Sequence, residues 1–494
     1  MALGLGWKLA GDGSTPPPGQ VVRPEERLSW PRTVGIGAQH VVAMFGATFV
    51  FPLIMGLDPN LAIMMSGVAT MVFLLVVQGR VPSYLGTSAA FVGAVFAIRG
   101  AGGDTATVTG AILVAGAVLT AVGVIVHFMG GQVVNRVLPP VVTGAVVLLI
   151  GFNLAPVVAD IYWPQDQWVA LATMAFVIVA TVLLRGFWAR ISILLGLVFG
   201  FLLSWLLDLT TGSITSVLPG QNDDQPFAHD RVNLDAVDGA AWIGLPELTA
   251  PDFKLSAILL VLPAVIALLA ENAGHVKAVA AMTEDDLDPY MGRAFIGDGL
   301  GTMIASSVGG APTTTYAENI GVMAATRVYS TAAYWVAAVV AILFGLCPKF
   351  GALVAAVPGG VLGGITVVLY GMIGLLGAKI WIENRVDFAN PVNMVSVAAG
   401  VIIAIGNTSL VVTDDFELQG IALGTIVVLV SYHLLRAIAP AHLRDDHHGA
   451  GRGVRPGDDE VSLGEAGYDG PRRGGTPLSP PVGEGALLPE ERGR

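Results

Sequence analysis

The chain has 494 residues, 54% of them hydrophobic and 13% charged, with a net charge of −12 at pH 7. A mean hydropathy of +0.72 excludes a soluble globular protein, and the acidic balance offers no basic surface for nucleic acid. One cysteine, Cys347, excludes an internal disulfide and any cysteine-based zinc site.

The first 30 residues are polar and proline-rich and carry no signal-peptide pattern. Apolar stretches follow near 33–57, 60–79, 84–98, 106–129, 138–159, 167–184 and 189–208. A second set lies near 255–281, 292–310, 314–326, 330–347, 352–377, 391–407 and 417–438. At about 20 residues per span, these predict an all-α integral membrane protein with about fourteen transmembrane segments. The 63 glycines suit helices whose backbones approach closely in lipid.

The expected organisation is a tail at 1–30, seven spans at 31–208, an acidic connector at 209–252, seven spans at 253–438 and a tail at 439–494. The second tail is poor in apolar residues and is expected to be disordered, including its HLRDDHH run at 442–448, which reads as solvated chain. Arg80, Arg136, Arg185, Arg190, Lys277, Arg293, Arg327, Lys379 and Arg385 fall on one side of such a topology. The positive-inside rule makes that side the cytoplasm, which places both termini there and the connector outside. The expected location is the plasma (inner) membrane.

Seven spans per half reverse the entry side of the second half, as in an inverted repeat. Gln39 and Glu271 are 232 residues apart, and so are Tyr84 and Tyr316. The two short apolar segments, 84–98 and 314–326, are the ones this spacing aligns. In the second, Gly309, Gly310 and Pro312 precede TTTYAENIGVM, so the span is expected to begin extended and become helical partway across. A half-helix of that kind aims free N–H groups into the protein.

Glu318 within a bilayer costs about 2.5–3.5 kcal/mol on insertion scales, a cost a chain retains when the group binds something. Tyr316 and the N–H groups around Ala317 stand beside it, and the backbone at Ser88 and Ala89 faces it from the other short segment. A carboxylate accepts N–H bonds and free backbone N–H groups donate to carbonyls, which complements a small planar lactam. In ALLAENAGHVKAVA, Glu271 and His275 are four apart and share one helix face. They read as a proton-responsive pair, against the plainer reading of a buried pair that only packs the bundle. Gln39 and His40 in the first helix are placed to brace the turns, and Asp298 to tie the ninth helix to the core.

The ENIGVMAATR stretch, 318–327, resembles the signature of the nucleobase–ascorbate transporter family, also called nucleobase:cation symporter-2. The pattern is met at Glu318, Asn319, Gly321, Thr326 and Arg327, and the Gln39–His40 pair is a second mark. The resemblance runs from about residue 25 to 438. It is strongest to the uracil-permease branch, and there to permeases of the pyrimidine-degradation pathway, through GRVPSYLGTSAAFVG and DPYMGRAFIGDGLGTM. Glutamate at 318 fits uracil-type members, where purine-type members often carry glutamine.

The resemblance implies two inverted seven-span repeats with short strands opening spans 3 and 10. It implies a core of spans 1–4 and 8–11 and a gate of spans 5–7 and 12–14. It implies that Glu271 and Glu318 hold the base with Tyr316 and the backbone at Ala317 and Ala89, and that His275 partners Glu271 in proton coupling. Tyr370, in VVLYGMIG, would reach the substrate from the gate, while Gln39, His40, Asn319 and Ser88 support the site. Alanine at 89 departs from the aromatic residue of uracil permease and removes ring stacking there. The implied activity is proton-coupled import of uracil or a related pyrimidine by elevator motion, in a homodimer, without cofactor or catalysis. Xanthine or urate as substrate, or a channel or nucleobase sensor, are the alternatives.

Overall fold

Acidic and amide caps and well-placed prolines set where the long helices begin. Asp58 Oδ1 accepts from the Asn60 N–H at 2.8 Å at the start of helix Pro59–Val76. Asp104 accepts from the Thr107 N–H at 2.9 Å below Thr105–Met129, and Asp166 from the Val169 N–H at 3.1 Å below Gln167–Leu183. Each cap satisfies a donor that the first helical turn cannot. Proline at the first helical position, as at Pro59, Pro140 and Pro391, lacks only an N–H that would have been orphaned.

The computed structural model describes residues 6–16, 20–217, 225–413 and 416–444. Among them, eight helices are long and apolar enough to cross a membrane, and the bent pair Thr331–Gly345 and Pro348–Ala355 makes up to nine. Ala89–Gly100, Gln167–Leu183 and Pro391–Ile405 are shorter apolar helices. Each predicted apolar stretch overlaps a helix, with ends shifted by a few residues, and one stretch is divided. The stretch expected at 352–377 is two pieces, because Pro348–Ala355 turns 80° from its predecessor and the next helix, Gly359–Glu383, starts only after Pro358. Proline cannot donate into a helix interior, so it punctuates here.

The helices pack in a pattern that repeats when the two halves are exchanged. Thr105–Met129 lies on Met291–Ser306, the fourth on the ninth, and Pro59–Val76 lies on Thr331–Gly345, the second on the eleventh. Pro140–Phe152 packs on Gly359–Glu383, the fifth on the twelfth. Gln167–Leu183 pairs with Ser192–Thr211 as Pro391–Ile405 pairs with Gly420–Ile438. Where the fourth and ninth helices cross, a Cβ on Gly116 would stand 2.9 Å from the Gly299 carbonyl oxygen, and one on Gly299 2.6 Å from that of Gly116. Only glycine lets these backbones touch.

The expected strands are present at Leu85–Thr87 and Thr313–Thr315, and they pair with each other, antiparallel, in the register Leu85↔Thr315, Gly86↔Thr314 and Thr87↔Thr313. Ser88 N–H donates to Pro312 O at 2.9 Å and Tyr316 N–H to Tyr84 O at 3.1 Å, extending the ladder at each end. Threonines from the preceding helices hold the strand edges: Leu85 N–H donates to Thr70 Oγ1 at 2.9 Å and Thr313 N–H to Thr302 Oγ1 at 3.1 Å. Thr70 and Thr302 are again 232 residues apart.

The N-terminal stretch is not a free tail where it is described. Lys8–Leu9 pairs with Glu26–Arg27, Val22 bridges Val328, and Trp7 Nε1 donates to Thr331 Oγ1 at 2.8 Å. Val22, Leu28 and Val328 form their own buried cluster. Of the C-terminal tail, Ala441–Arg444 is a short helix, and the expected disorder beyond it lies outside the described residues.

The connector is pinned by one arginine. Arg231 Nε meets Asp166 Oδ2 at 2.7 Å and its Nη1 meets Asp208 Oδ1 at 3.0 Å, with all three side chains nearly buried. Burial opposes the Arg231 charge, but the two carboxylates outweigh it and hold the guanidinium above its ordinary pKa. Removing the cation strands two carboxylates, so Arg231→Ala is expected to cost about 3 kcal/mol or more. A thermal melt of the solubilised protein reads this, and an unchanged midpoint would show the cluster to be freely hydrated.

Candidate functional site at the crossed strands

Past each strand the chain turns into a helix, so two helix N-termini point at the crossing. Ala317–Thr326 follows Thr313–Thr315, and Ala89–Gly100 follows Leu85–Thr87. Ser88 Oγ accepts the Ala90 N–H at 3.3 Å, while among the described residues the Ala89 and Ala317 N–H groups donate to no protein acceptor. First-turn N–H groups with the positive end of the helix dipole behind them suit an acceptor or an anion. Glu318 occupies the first turn of its helix and is exposed. It lines a cavity of about 30 Å³ with Gly46 and Ala47 of the first helix, Ile193 and Leu194 of the seventh and Leu369 of the twelfth. That volume holds water, not a base.

The eighth helix, Leu255–Thr283, carries Glu271 and His275 half-buried on one face. Glu271 lies within electrostatic reach of Asp298 and Glu318. His275 Nδ1 is 2.8 Å from Thr315 Oγ1, and among the described residues it makes no hydrogen bond or ion pair with Glu271. Thr315 Oγ1 donates its proton to Asn272 Oδ1 at 2.8 Å, which assigns the Nδ1–H tautomer to His275. Asn272 Nδ2 in turn donates to Asp298 Oδ2. A continuous chain thus runs from the eighth helix through the strand to the ninth, and Asp298 ties the ninth helix to the core.

Tyr316 seals the crossing from the far side. Its hydroxyl donates to Thr87 O at 2.7 Å, with Thr48 Oγ1 3.4 Å away. Asn319 clamps the first helix, donating from Nδ2 toward His40 Nδ1 at 3.1 Å and His40 O at 3.2 Å. Since His40 Nδ1 accepts, its proton is on Nε2, which is buried without a partner. The His40 ring lies 4.4 Å from that of Tyr334. The signature residues thereby acquire reasons: Glu318 faces open space, Asn319 grips His40, and Arg327 at φ 57° ends the helix. Gln39 is half-buried beside this clamp.

Tyr370 follows Leu369 on the twelfth helix. It is buried, lies stacked 6.1 Å from Phe51, and borders a different cavity with Phe152 and Trp163. Its hydroxyl is buried without a partner. Thr315, Asn272, Thr48 and Thr87 join the site unheralded, because their partners are distant in sequence; the 232-residue spacing of Thr70 and Thr302 was the available clue.

A multi-pass membrane fold with two opposed half-helices and acids at their crossing defines a secondary-transporter class of protein. Comparison with known proteins gives the family: the Permease family model (Xan_ur_permease) matches residues 31–413. The chain therefore belongs to the nucleobase:cation symporter-2 permease family and is a permease rather than an enzyme. RutG of Escherichia coli (strain K12), provisionally named a pyrimidine permease, is 44% identical over 87% of this chain and 94% of its own length. The uracil permease of Bacillus caldolyticus is 36% identical over 82% of this chain and 92% of its own. Among solved structures, the transmembrane domain of a cyanobacterium bicarbonate transporter, BicA, is similar at TM-score 0.53 and 14% identity over 81% of this chain and 96% of that one. The murine Solute Carrier 26 family member A9 is similar at TM-score 0.58 and 11% identity over 83% of this chain and 69% of that one. These two likenesses speak to the fold.

Proposed function

We propose that the protein is a proton-coupled importer of uracil or a closely related pyrimidine, resident in the plasma (inner) membrane with both termini cytoplasmic. The observation that carries this is the pair of helix N-termini converging on one crossing, with Glu318 in the first turn of one and Glu271 alongside. A pyrimidine lactam has N–H groups for the carboxylates and carbonyls for the Ala89 and Ala317 N–H groups. The relatives' names, uracil and pyrimidine permease, support the same substrate class.

Residues 31–208 and 253–438 form two inverted repeats in this reading, supported by the exchanged packing pairs. Spans 1–4 and 8–11 make the core, and spans 5–7 and 12–14 the gate and the homodimer contact. The small cavity at Glu318 lies between core helix 1 and gate helices 7 and 12, so base entry requires core and gate to part. Protonation of Glu271 would favour the loaded core, and the His275–Thr315–Asn272–Asp298 chain would hold the strand in place as it happens. A ligand shifts such an equilibrium only by its differential affinity for the two states.

Radiolabelled uracil uptake in cells lacking their own permease tests this. Accumulation that rises at acidic external pH, collapses with a protonophore and is competed by thymine is the expected result. Transport of xanthine or urate in place of uracil would overturn the substrate.

Two glycines make a further expectation. Gly274 and Gly321 each stand three residues after an acid, on its helix face, and a Cβ on either would meet nothing within 4 Å. Alanine is favoured over glycine in a helix by about 1 kcal/mol, so Gly321→Ala should hold or raise the melting midpoint while lowering uptake. A variant that transports normally would show that this space serves neither base nor gate.

A further inference from the structure

A third cavity, of about 390 Å³, has no lining residue in common with the one at Glu318. Its walls are the third helix, with Phe96 and Ala97, the outer end of the eighth at Leu260, Asn153 and Val157 beyond the fifth, and the start of the fourteenth at Ile421. Asn407, just before the hairpin of Ser409–Thr413 and Phe416–Gln419, and Gln419 at its end complete the lining. The proposed topology puts this hairpin outside, making the cavity the outer cleft between core and gate. Its size is within the range of ligand sites, about 300–1,000 Å³.

The polar groups in it are amides, and one is unsatisfied. Asn153 is 8% exposed, and its Oδ1 is buried with no hydrogen-bond donor. Gly420, at φ 54°, brings Asn153 close to Asn407: a Cβ on Gly420 would stand 2.6 Å from the Oδ1 of each. Gly420 N–H also donates to Thr408 O at 3.2 Å, which closes the turn. Two amide oxygens converge where no side chain could fit, and Gln419 lines the same cavity. Leaving the buried Asn153 Oδ1 unpaired is costly.

We propose that this outer cleft is a second, weaker subsite for the same planar lactam, with N–H groups of the base donating to Asn153 and Asn407 and its faces against Phe96, Leu260 and Ile421. The Gln419 amide has a donor for a ring carbonyl. Its contacts are neutral amides without the carboxylates of the inner site, which makes it the weaker of the two. It would collect base from outside before the core accepts it. The inference rests on the transporter reading above for the identity of the ligand and the side it enters.

Equilibrium dialysis of the purified full-length protein against radiolabelled uracil tests it. The wild type is expected to bind in two classes, and Asn153→Leu to weaken only the looser class, at least tenfold. Glu318→Gln is expected to weaken the tighter class by about 10- to 100-fold and to leave the looser one unchanged. Gln419→Leu, at a half-buried position, repeats the test should Asn153→Leu unfold, with thermal melts of both variants as the control. A single class in the wild type, meaning water alone fills the cleft, overturns the subsite and leaves the transporter standing. Loss of both classes in a folded Asn153→Leu protein also overturns it. Wild type that binds no uracil overturns both readings.

Discussion

Replacing Glu318 with glutamine is expected to weaken uracil binding by about 10- to 100-fold and to abolish concentrative uptake, with the fold intact. The side chain keeps its length and its place in the first turn of Ala317–Thr326. One acceptor oxygen becomes an NH2 donor, which then opposes a lactam N–H. Hydrogen bonds to a charged partner contribute about 1.5–3 kcal/mol, and each 1.4 kcal/mol is a factor of ten in affinity. No other residue is left unpaired by the change, because among the described residues the Glu318 side chain makes no hydrogen bond or ion pair with another residue. Titration calorimetry beside a thermal melt separates the effects. Binding of wild-type strength in Glu318→Gln would move the base away from this helix.

Gly86→Val is expected to do the opposite: to damage fold and transport together. Gly86 is the middle residue of its strand, paired with Thr314. A Cβ there would stand 2.5 Å from two Tyr316 ring atoms and 2.8 Å from Thr48 Oγ1. The ring cannot swing aside cheaply, since its hydroxyl donates to Thr87 O at 2.7 Å. Overpacking of this kind costs about 1–3 kcal/mol, and here the strain falls on the segment that carries both Ala317 and Glu318. Uptake should fall more than tenfold, with Gly86→Ala intermediate. Normal uptake by Gly86→Val would show that the strand crossing does not need its present spacing.

The contrast between these two expectations follows what was legible in the sequence. Composition and hydropathy marked the helices, because lipid demands long apolar runs. Gly309, Gly310 and Pro312 marked the broken tenth segment, because those residues interrupt helices for local steric reasons. The antiparallel register of Leu85–Thr87 on Thr313–Thr315 was not legible. It joins residues more than two hundred positions apart, and no local pattern in three-residue strands fixes a partner.

Side-chain choice escaped the sequence for the same reason. The i, i+4 spacing brought Glu271 and His275 to one face, but spacing does not say which neighbour is nearer. Thr315, from a different element, takes the His275 Nδ1–H. The polar N-terminal stretch reads as a tail because it has few apolar residues. Yet Val22 and Leu28 suffice to seat it against Val328, with backbone bonds from Val22 N–H to Arg327 O at 2.9 Å and from Tyr329 N–H to Val22 O at 2.8 Å.

The most direct test of the central claim is uracil accumulation in proteoliposomes under an imposed inward proton gradient, wild type beside Glu271→Gln. The wild type is expected to concentrate uracil above the equilibrium level, while Glu271→Gln carries it only to equilibrium at a reduced rate. Gradient-driven accumulation undiminished in Glu271→Gln would contradict the assignment of proton coupling to this carboxylate.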